Sequence, residues 1–166
     1  MLIAAAVAFT LMSQTFAAGG TMPPSTEFQG YNCAGKNMAP DLHWSGAPSG
    51  TLGLALTMHD PDAKAPGGWW HWVVIDIPPK TMGLGEMAEN AMTKHDFVYG
   101  TTSFGTRGYG GPCPPPGTPH HYLFTLYALD VNPLPGADAS TTGPELLKLI
   151  EGHVLGKATL TGLYGR

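Results

Sequence analysis

Two aspartates, two histidines and a tyrosine carry most of the chemistry this chain could do. Asp60 and Asp62 flank Pro61 at the end of an apolar stretch, His71 sits inside W-W-H-W-V-V-I-D-I from Trp69 to Ile77, and His120 and Tyr122 close the run Y-G-G-P-C-P-P-P-G-T-P-H-H-Y that starts at Tyr109. Residues two apart on an extended chain share a face, so an extended D-P-D would send both carboxylates to the same side. Aspartates around a proline are also common turn formers. An imidazole in a run as apolar as that around His71 must either find a buried partner or open on a cavity. His120 and Tyr122 have matching parity, so two polar rings point the same way.

The loop before His120 supplies the rest of a candidate pocket. Its prolines stiffen the chain, while Gly110 and Gly111 let the backbone approach a ligand closely. A nest of amide donors beside protonatable imidazoles and a phenol suits a phosphate or carboxylate. Asp60 or Asp62 would orient an imidazole and favour its protonation. The carboxylates themselves would repel an anion, and would meet the cationic end of a zwitterion or act through a neighbour.

Two other chemistries use the same residues. A hydrolase would take His71 or His120 as acid or base, yet there is no G-x-S-x-G, P-loop or H-E-x-x-H motif, and Thr101, Thr102 and Ser103 are the nearest candidates for a nucleophile. A metal site would draw on Asp60, Asp62, His71, His120 and His121. Adjacent His120 and His121 point to opposite faces of a strand, which argues against their sharing an ion. The residues favour a non-enzymatic binding protein with no catalytic residue, metal or cofactor.

The elements that position these groups read as strands. Leu52, Leu54, Leu56 and Met58 alternate with Thr51, Gly53, Ala55 and Thr57, the period of a half-buried strand over Thr51 to Met58. Trp69 to Ile77 fits a strand covered on both faces, and Tyr122 to Leu129 is similar. Between these two runs only Phe97 to Tyr99 suggests a further strand. Leu146, Leu147, Leu149, Ile150 and Val154 predict a helix over Glu145 to Leu155, with Thr142 as N-cap and Pro144 in the first turn. Ala158 to Tyr164 alternates as a terminal strand. Ala18 to Pro40 predicts an N-terminal strand with irregular connections, tied down around Cys33. The pattern is that of a mainly β, antiparallel sandwich.

Composition narrows the partners. A formal net charge of −4, with 12% charged residues, leaves no basic surface for nucleic acid. The apolar Leu2 to Met12 followed by Thr15-Phe16-Ala17 reads as a signal peptide over 1–17, ahead of one domain over 18–166. It is short for a membrane span, so no integral membrane association is expected. Export to a bacterial periplasm or beyond follows, although no Lys or Arg precedes Lys36, which leaves a cytoplasmic protein as the alternative. In an oxidising compartment Cys33 and Cys113 would pair, contributing about 4 to 5 kcal/mol through loop closure. Two buried free thiols are the other reading.

Several of these segments resemble the phosphatidylethanolamine-binding protein family, in its bacterial Raf-kinase-inhibitor-like branch. The resemblance rests on D-P-D-A at Asp60, W-W-H-W-V-V at Trp69, Y-G-G-P-C-P-P-P-G with H-H-Y, C-A-G-K-N at Cys33 and the closing G-H-V-L and G-L-Y-G-R. It implies a β-sandwich with a large central sheet and C-terminal helical structure. It also implies a small pocket for phosphate-like anions or phospholipid head groups, and regulatory contact with an unknown protein partner. Carried over by motif, the pocket residues are Asp60, Pro61, Asp62, Trp69, His71, Gly110, Gly111, Pro112, His120 and Tyr122. His121 stands where the family more often has arginine, which removes a permanent charge beside the site.

Overall fold

The computed structural model describes residues 7–84, 87–88 and 96–166. In chain order the strands are β1 (Thr10–Ser13), β2 (Gln29–Gly30), β3 (Cys33–Ala34), β4 (Met38–Ala39), β5 (Leu42–Ser45), β6 (Gly53–Asp60), β7 (Trp69–Ile77), β8 (Gly83–Leu84), β9 (Met87–Ala88), β10 (Val98–Tyr99) and β11 (His120–Leu129). Helix α1 (Gly143–Leu149) and strand β12 (Val154–Tyr164) follow. A five-stranded sheet in the order β10-β7-β6-β11-β12 forms the centre, with a three-stranded sheet β1-β5-β8 against it. Every pairing between strands is antiparallel. The expected mainly β, antiparallel architecture with a late helix is what the chain adopts.

The central strands are buried on both faces, which differs from the half-buried strand expected for Thr51 to Met58. Leu54, Leu56 and Met58 join Trp72, Phe124, Leu42 and Trp44 in a core between the two sheets. Ala55 faces the other way, into a second core with Val73, Ile75, Leu134, Leu146 and Ile150. The helix and the segment before it cover that face, so Ala55 and Thr57 are as enclosed as the leucines.

Two irregularities in the β6·β7 ladder matter below. Leu54 pairs with Ile77 and Leu56 with Val74, so β7 carries an extra residue there, and Asp76 takes a left-handed φ of 59°. Its Oδ1 accepts a hydrogen bond from Leu134 N at 2.7 Å. At the other end Met58 pairs with Trp72 but His59 with Trp70, which leaves His71 as the extra residue of a bulge.

The helix is shorter than its periodicity predicted. Glu145 Oε2 accepts from Thr142 N and Thr142 Oγ1, both at 2.8 Å, which fixes the expected start. Leu146 and Ile150 are buried one turn apart, and Val154 continues the spacing by four. Gly152, however, takes φ 84°, and Val154 is already in β12, 41% exposed. The terminal strand is correspondingly longer than Ala158 to Tyr164.

Residues near the start of the described chain pack on the fold. Thr10–Ser13 pair with Ser45–Leu42, Leu11 is buried, and Phe16 packs on Phe124 with ring centroids 5.7 Å apart. Thr10–Ser13 and Phe16 therefore take part in the packed structure. Residues 1–6 of the apolar stretch lie outside the described residues. No helix among the described residues is long and apolar enough to cross a membrane. Cys33 and Cys113 are joined in a disulfide that closes a separation of 80 residues.

Candidate functional site

One cavity of about 370 Å³ opens at the edge of the central sheet where β6, β7 and β11 meet their loops. Asp60, Trp69, His71, His120 and Tyr122 line it, five of the ten residues expected there. Each arrives by a local reason. Asp60 continues the alternation of Leu54, Leu56 and Met58, and His120 that of Tyr122, Phe124 and Leu126. The bulge in β7 brings His71 to the same side as Trp72, while Trp70 lies against Gly143 at the start of α1.

Asp60 organises the inner end. Its Oδ1 accepts from the backbone N of Asp62 at 2.9 Å and of Ala63 at 3.1 Å, and its Oδ2 accepts from His120 Nδ1 at 2.7 Å. The carboxyl group is nearly inaccessible, so these three donors hold it and aim the His120 ring. The ring's Nε2 is then left for a ligand.

His71 is fixed as tightly. Its Nδ1 lies 2.7 Å from Gly110 O and 3.1 Å from Gly111 O, and two carbonyls facing one ring nitrogen require that nitrogen to be the donor. Burial holds its pKa down at about 4, against the opposing pull of those carbonyls and Asp60. The neutral ring therefore turns Nε2, an acceptor, to the cavity. A ligand oxygen meeting Nε2 would therefore have to carry a proton.

Tyr122 and Trp69 line the cavity, and neither the Tyr122 hydroxyl nor Trp69 Nε1 has a hydrogen bond of good geometry among the described residues. The Tyr122 hydroxyl is buried beside Asp60, and burial and that charge push its pKa up. Trp69 Nε1 is likewise buried and unpartnered. Both atoms are shielded from solvent, and a buried donor without a partner carries a cost that a ligand drawing close would relieve.

The other expected residues stand elsewhere. After Pro61 the chain turns, and Asp62 accepts from His121 N and His121 Nδ1, both at 2.7 Å, on the outer face. Those hydrogen bonds lower the Asp62 pKa. Asp60 and Asp62 thus do not share a side, because the Asx turn closed by Asp60 Oδ1 bends the backbone between them. Gly110 and Gly111 form no amide nest: Gly110 N donates to His71 O at 2.8 Å and Gly111 N to Asn37 Oδ1 at 2.7 Å. Pro112 O accepts from Phe28 N at 3.0 Å, so this segment buttresses the pocket from behind.

The mouth is built from residues without a signal in the sequence pattern. Tyr31, Phe104, Lys64, Pro114 and Pro115 line it, with Cys113 of the disulfide. Phe104 stacks on Phe28 at 4.4 Å between centroids and meets Trp69 and His71 edge-on. Only an isolated phenylalanine in a Gly- and Thr-rich loop marked it. Asn37, whose amide also donates to Tyr109 O at 2.9 Å, stood in C-A-G-K-N without an assigned role.

The hydroxyls considered as nucleophiles are engaged away from the cavity. Ser103 Oγ accepts from Trp70 N, Thr101 donates to Ala139 O and Thr102 to Thr106 O. Among the described residues no group of three or more His, Cys, Asp or Glu side chains is placed to hold a metal ion.

A mainly β, antiparallel fold with a polar-floored, aromatic-mouthed cavity at the strand ends is the arrangement of a small-ligand binding protein. A family model described as phosphatidylethanolamine-binding protein matches residues 12–165, and the chain belongs to that family. It is 36% identical over 165 residues to the UPF0098 protein YbcL of Escherichia coli, covering 97% of this chain and 90% of that one. A UPF0098 protein of Methanothermobacter thermautotrophicus is 46% identical over 139 residues, covering 82% and 88%. LppC of Mycobacterium tuberculosis, named as a candidate lipoprotein, is 40% identical over 163 residues, covering 96% and 74%. The crystal structure of Escherichia coli YbcL, titled as a new member of the mammalian PEBP family, superposes with a TM-score of 0.89 at 35% identity, covering 95% of this chain and 98% of that one.

Proposed function

We propose that the protein is a non-enzymatic binding protein whose cavity takes a small phosphate-like anion or zwitterionic head group at its inner end. The observation that carries this is that His71, His120, Tyr122 and Trp69 line one cavity, with both imidazoles held through Nδ1 by fixed partners, which leaves each Nε2 for a ligand. Preset donors and acceptors around a recess are what recognition of a small polar group requires. A hydrogen phosphate or phosphoethanolamine group carries both a proton for His71 Nε2 and oxygens for the neighbouring donors. Lys64 at the mouth adds a positive charge. Export, and contact with a protein partner, belong to the same proposal; the name given to LppC supports the first.

Titrating the folded chain with phosphate, phosphoethanolamine and acetate while following the His71 and His120 ring signals by NMR tests it. Both rings should shift with a common saturation curve, and His71→Ala should weaken phosphate at least tenfold. Rings that stay still with every anion would rule the pocket out as an anion site. Turnover of phosphoesters or acyl esters that vanishes in His71→Ala would replace binding with hydrolysis.

A further inference from the structure

The two rims of the cavity come from parts of the chain 80 residues apart, and two separate bridges tie them together. One rim is the turn between β2 and β3. Tyr31 and Asn32 there hold φ of 51° and 66°, the left-handed backbone that a two-residue hairpin turn between β2 and β3 requires. The other rim is Cys113 to Pro115.

The Cys33–Cys113 disulfide is the first bridge, and it brings Cys113 Sγ to 3.7 Å from Tyr31 O. The second is the guanidinium of Arg166. Its Nε donates to Pro114 O and its Nη1 to Asn32 O, both at 2.8 Å, so one planar fork spans both rims. Gly117 N donates to Arg166 O at 3.2 Å and anchors that residue in turn.

Tyr31 stands between the two bridges. It is 73% exposed, which core packing does not explain, and its ring stacks on Phe28 and Phe104 at 5.8 and 6.1 Å. With Phe104, Pro114 and Pro115 it makes the mouth apolar, whereas the polar groups gather at the inner end. A bare anion seated beside His71 and His120 leaves that mouth unfilled.

We propose that Tyr31 is a wall for an apolar body attached to the ligand's anionic head, and that Arg166 and the disulfide are positioning residues that hold it there. Reduction then loosens the wall: a dithiol gives up two electrons and two protons, the Cys33–Cys113 bond breaks into two thiols, and the dithiol closes to its own disulfide. The inner end, built on Asp60 and the Gly110–Gly111 carbonyls, does not depend on either bridge. The proposal rests on the anion site described above.

Calorimetry on the full chain with inorganic phosphate and with hexyl phosphate separates the two ends. The oxidised parent should bind hexyl phosphate about tenfold more tightly than phosphate, through partial burial of the alkyl chain. That ratio should fall to within about twofold in Tyr31→Ala, in Arg166→Ala and after reduction with dithiothreitol. Phosphate itself should change less than about twofold in Arg166→Ala and on reduction. Arg166→Lys keeps the charge but cannot fork, and should behave as Arg166→Ala; recovery of the parent ratio in Arg166→Lys would mean that charge alone acts, and overturns the positioning role. Arg166 and Tyr31 are exposed, so these variants keep the test open if reduction unfolds the chain. If phosphate binds and the ratio does not move in Arg166→Ala, the mouth has no such role. If phosphate does not bind the parent, the inner end is not an anion site and the proposal falls with it.

Discussion

His71 Nδ1 donates to Gly110 O at 2.7 Å, and this one contact decides which face of the ring a ligand meets. It fixes the tautomer, so Nε2 is an acceptor in the free protein, and burial keeps it so by holding the pKa at about 4.

A stability profile follows with a definite sign. The unfolded imidazole titrates near 6.5 and the folded one near 4, so the unfolded chain binds the extra proton in between. Stability is full above pH 6.5 and falls as the pH drops towards 4, by on the order of 3 kcal/mol for this group. Urea denaturation at a series of pH values checks it. His71→Asn, which keeps an amide donor for Gly110 O but does not titrate, should lack this component; an unchanged profile would assign the acid sensitivity to other groups.

Ligand binding should carry the opposite dependence. Sulfate stays a dianion from pH 7 to pH 5, so its oxygens can meet His71 Nε2 only after the ring is protonated. Its affinity should rise by up to about tenfold per pH unit as the pH falls through that range. Calorimetry in buffers of different ionisation enthalpy should report uptake of a proton. Binding without proton uptake would place the anion away from His71.

Asp60 and Asp62 look equivalent in D-P-D and should behave differently. Asp60 is buried and accepts three hydrogen bonds, one of them aiming His120. Asp60→Ala should cost about 3 kcal/mol and abolish the His120 response to phosphate. Asp62 pairs with His121 where both side chains are largely exposed, so Asp62→Ala should cost less than about 1 kcal/mol and leave phosphate affinity within twofold.

That contrast marks where the sequence could be read and where it could not. The shared face of His120 and Tyr122 was legible because β11 alternates without a break from Tyr122 to Ala128, and parity is then a sufficient guide. Parity was silent at His71, in a run covered on both faces, because an extra residue opposite Met58 and His59 shifts the ladder and only the partner strand reveals it. It failed at Asp62 because a three-residue turn replaced the assumed extension. The Gly110 and Gly111 amides looked available for a ligand because one of their partners, Asn37, lies more than seventy positions away. The aromatic mouth had no period at all: Tyr31, Phe104 and Pro114 come from three loops that only the closed fold assembles.

The Gly-Gly segment should respond as a buttress. A Cβ on Gly111 would lie 2.0 Å from Thr26 O, and one on Gly110 2.6 Å from the Phe104 ring. Gly111→Ala meets backbone and should destabilise the fold by about 3 kcal/mol or more. Gly110→Ala meets the edge of an aromatic ring that can shift, so it should cost less stability while displacing Phe104. Denaturation midpoints and hexyl phosphate affinity, measured on both variants, separate the effects. Equal losses of stability would mean that Phe104 is held as rigidly as the backbone.

Removing residues 1–17 should unfold part of the small sheet. Leu11 and Phe16 are buried, β1 supplies one side of β5, and Phe16 closes the first core against Phe124. Exposing those two side chains alone should cost on the order of 4 kcal/mol, and β5 loses the partner that covers its edge. A chain beginning at Ala18 should therefore show a lower denaturation midpoint than the full chain and early amide exchange at Leu42 to Ser45. Leu11→Ala and Phe16→Ala in the full chain should reproduce much of the loss, because it comes from side-chain burial more than from chain length. A truncated chain as stable as the full one would mean that residues 10–17 are carried on the fold and do not support it.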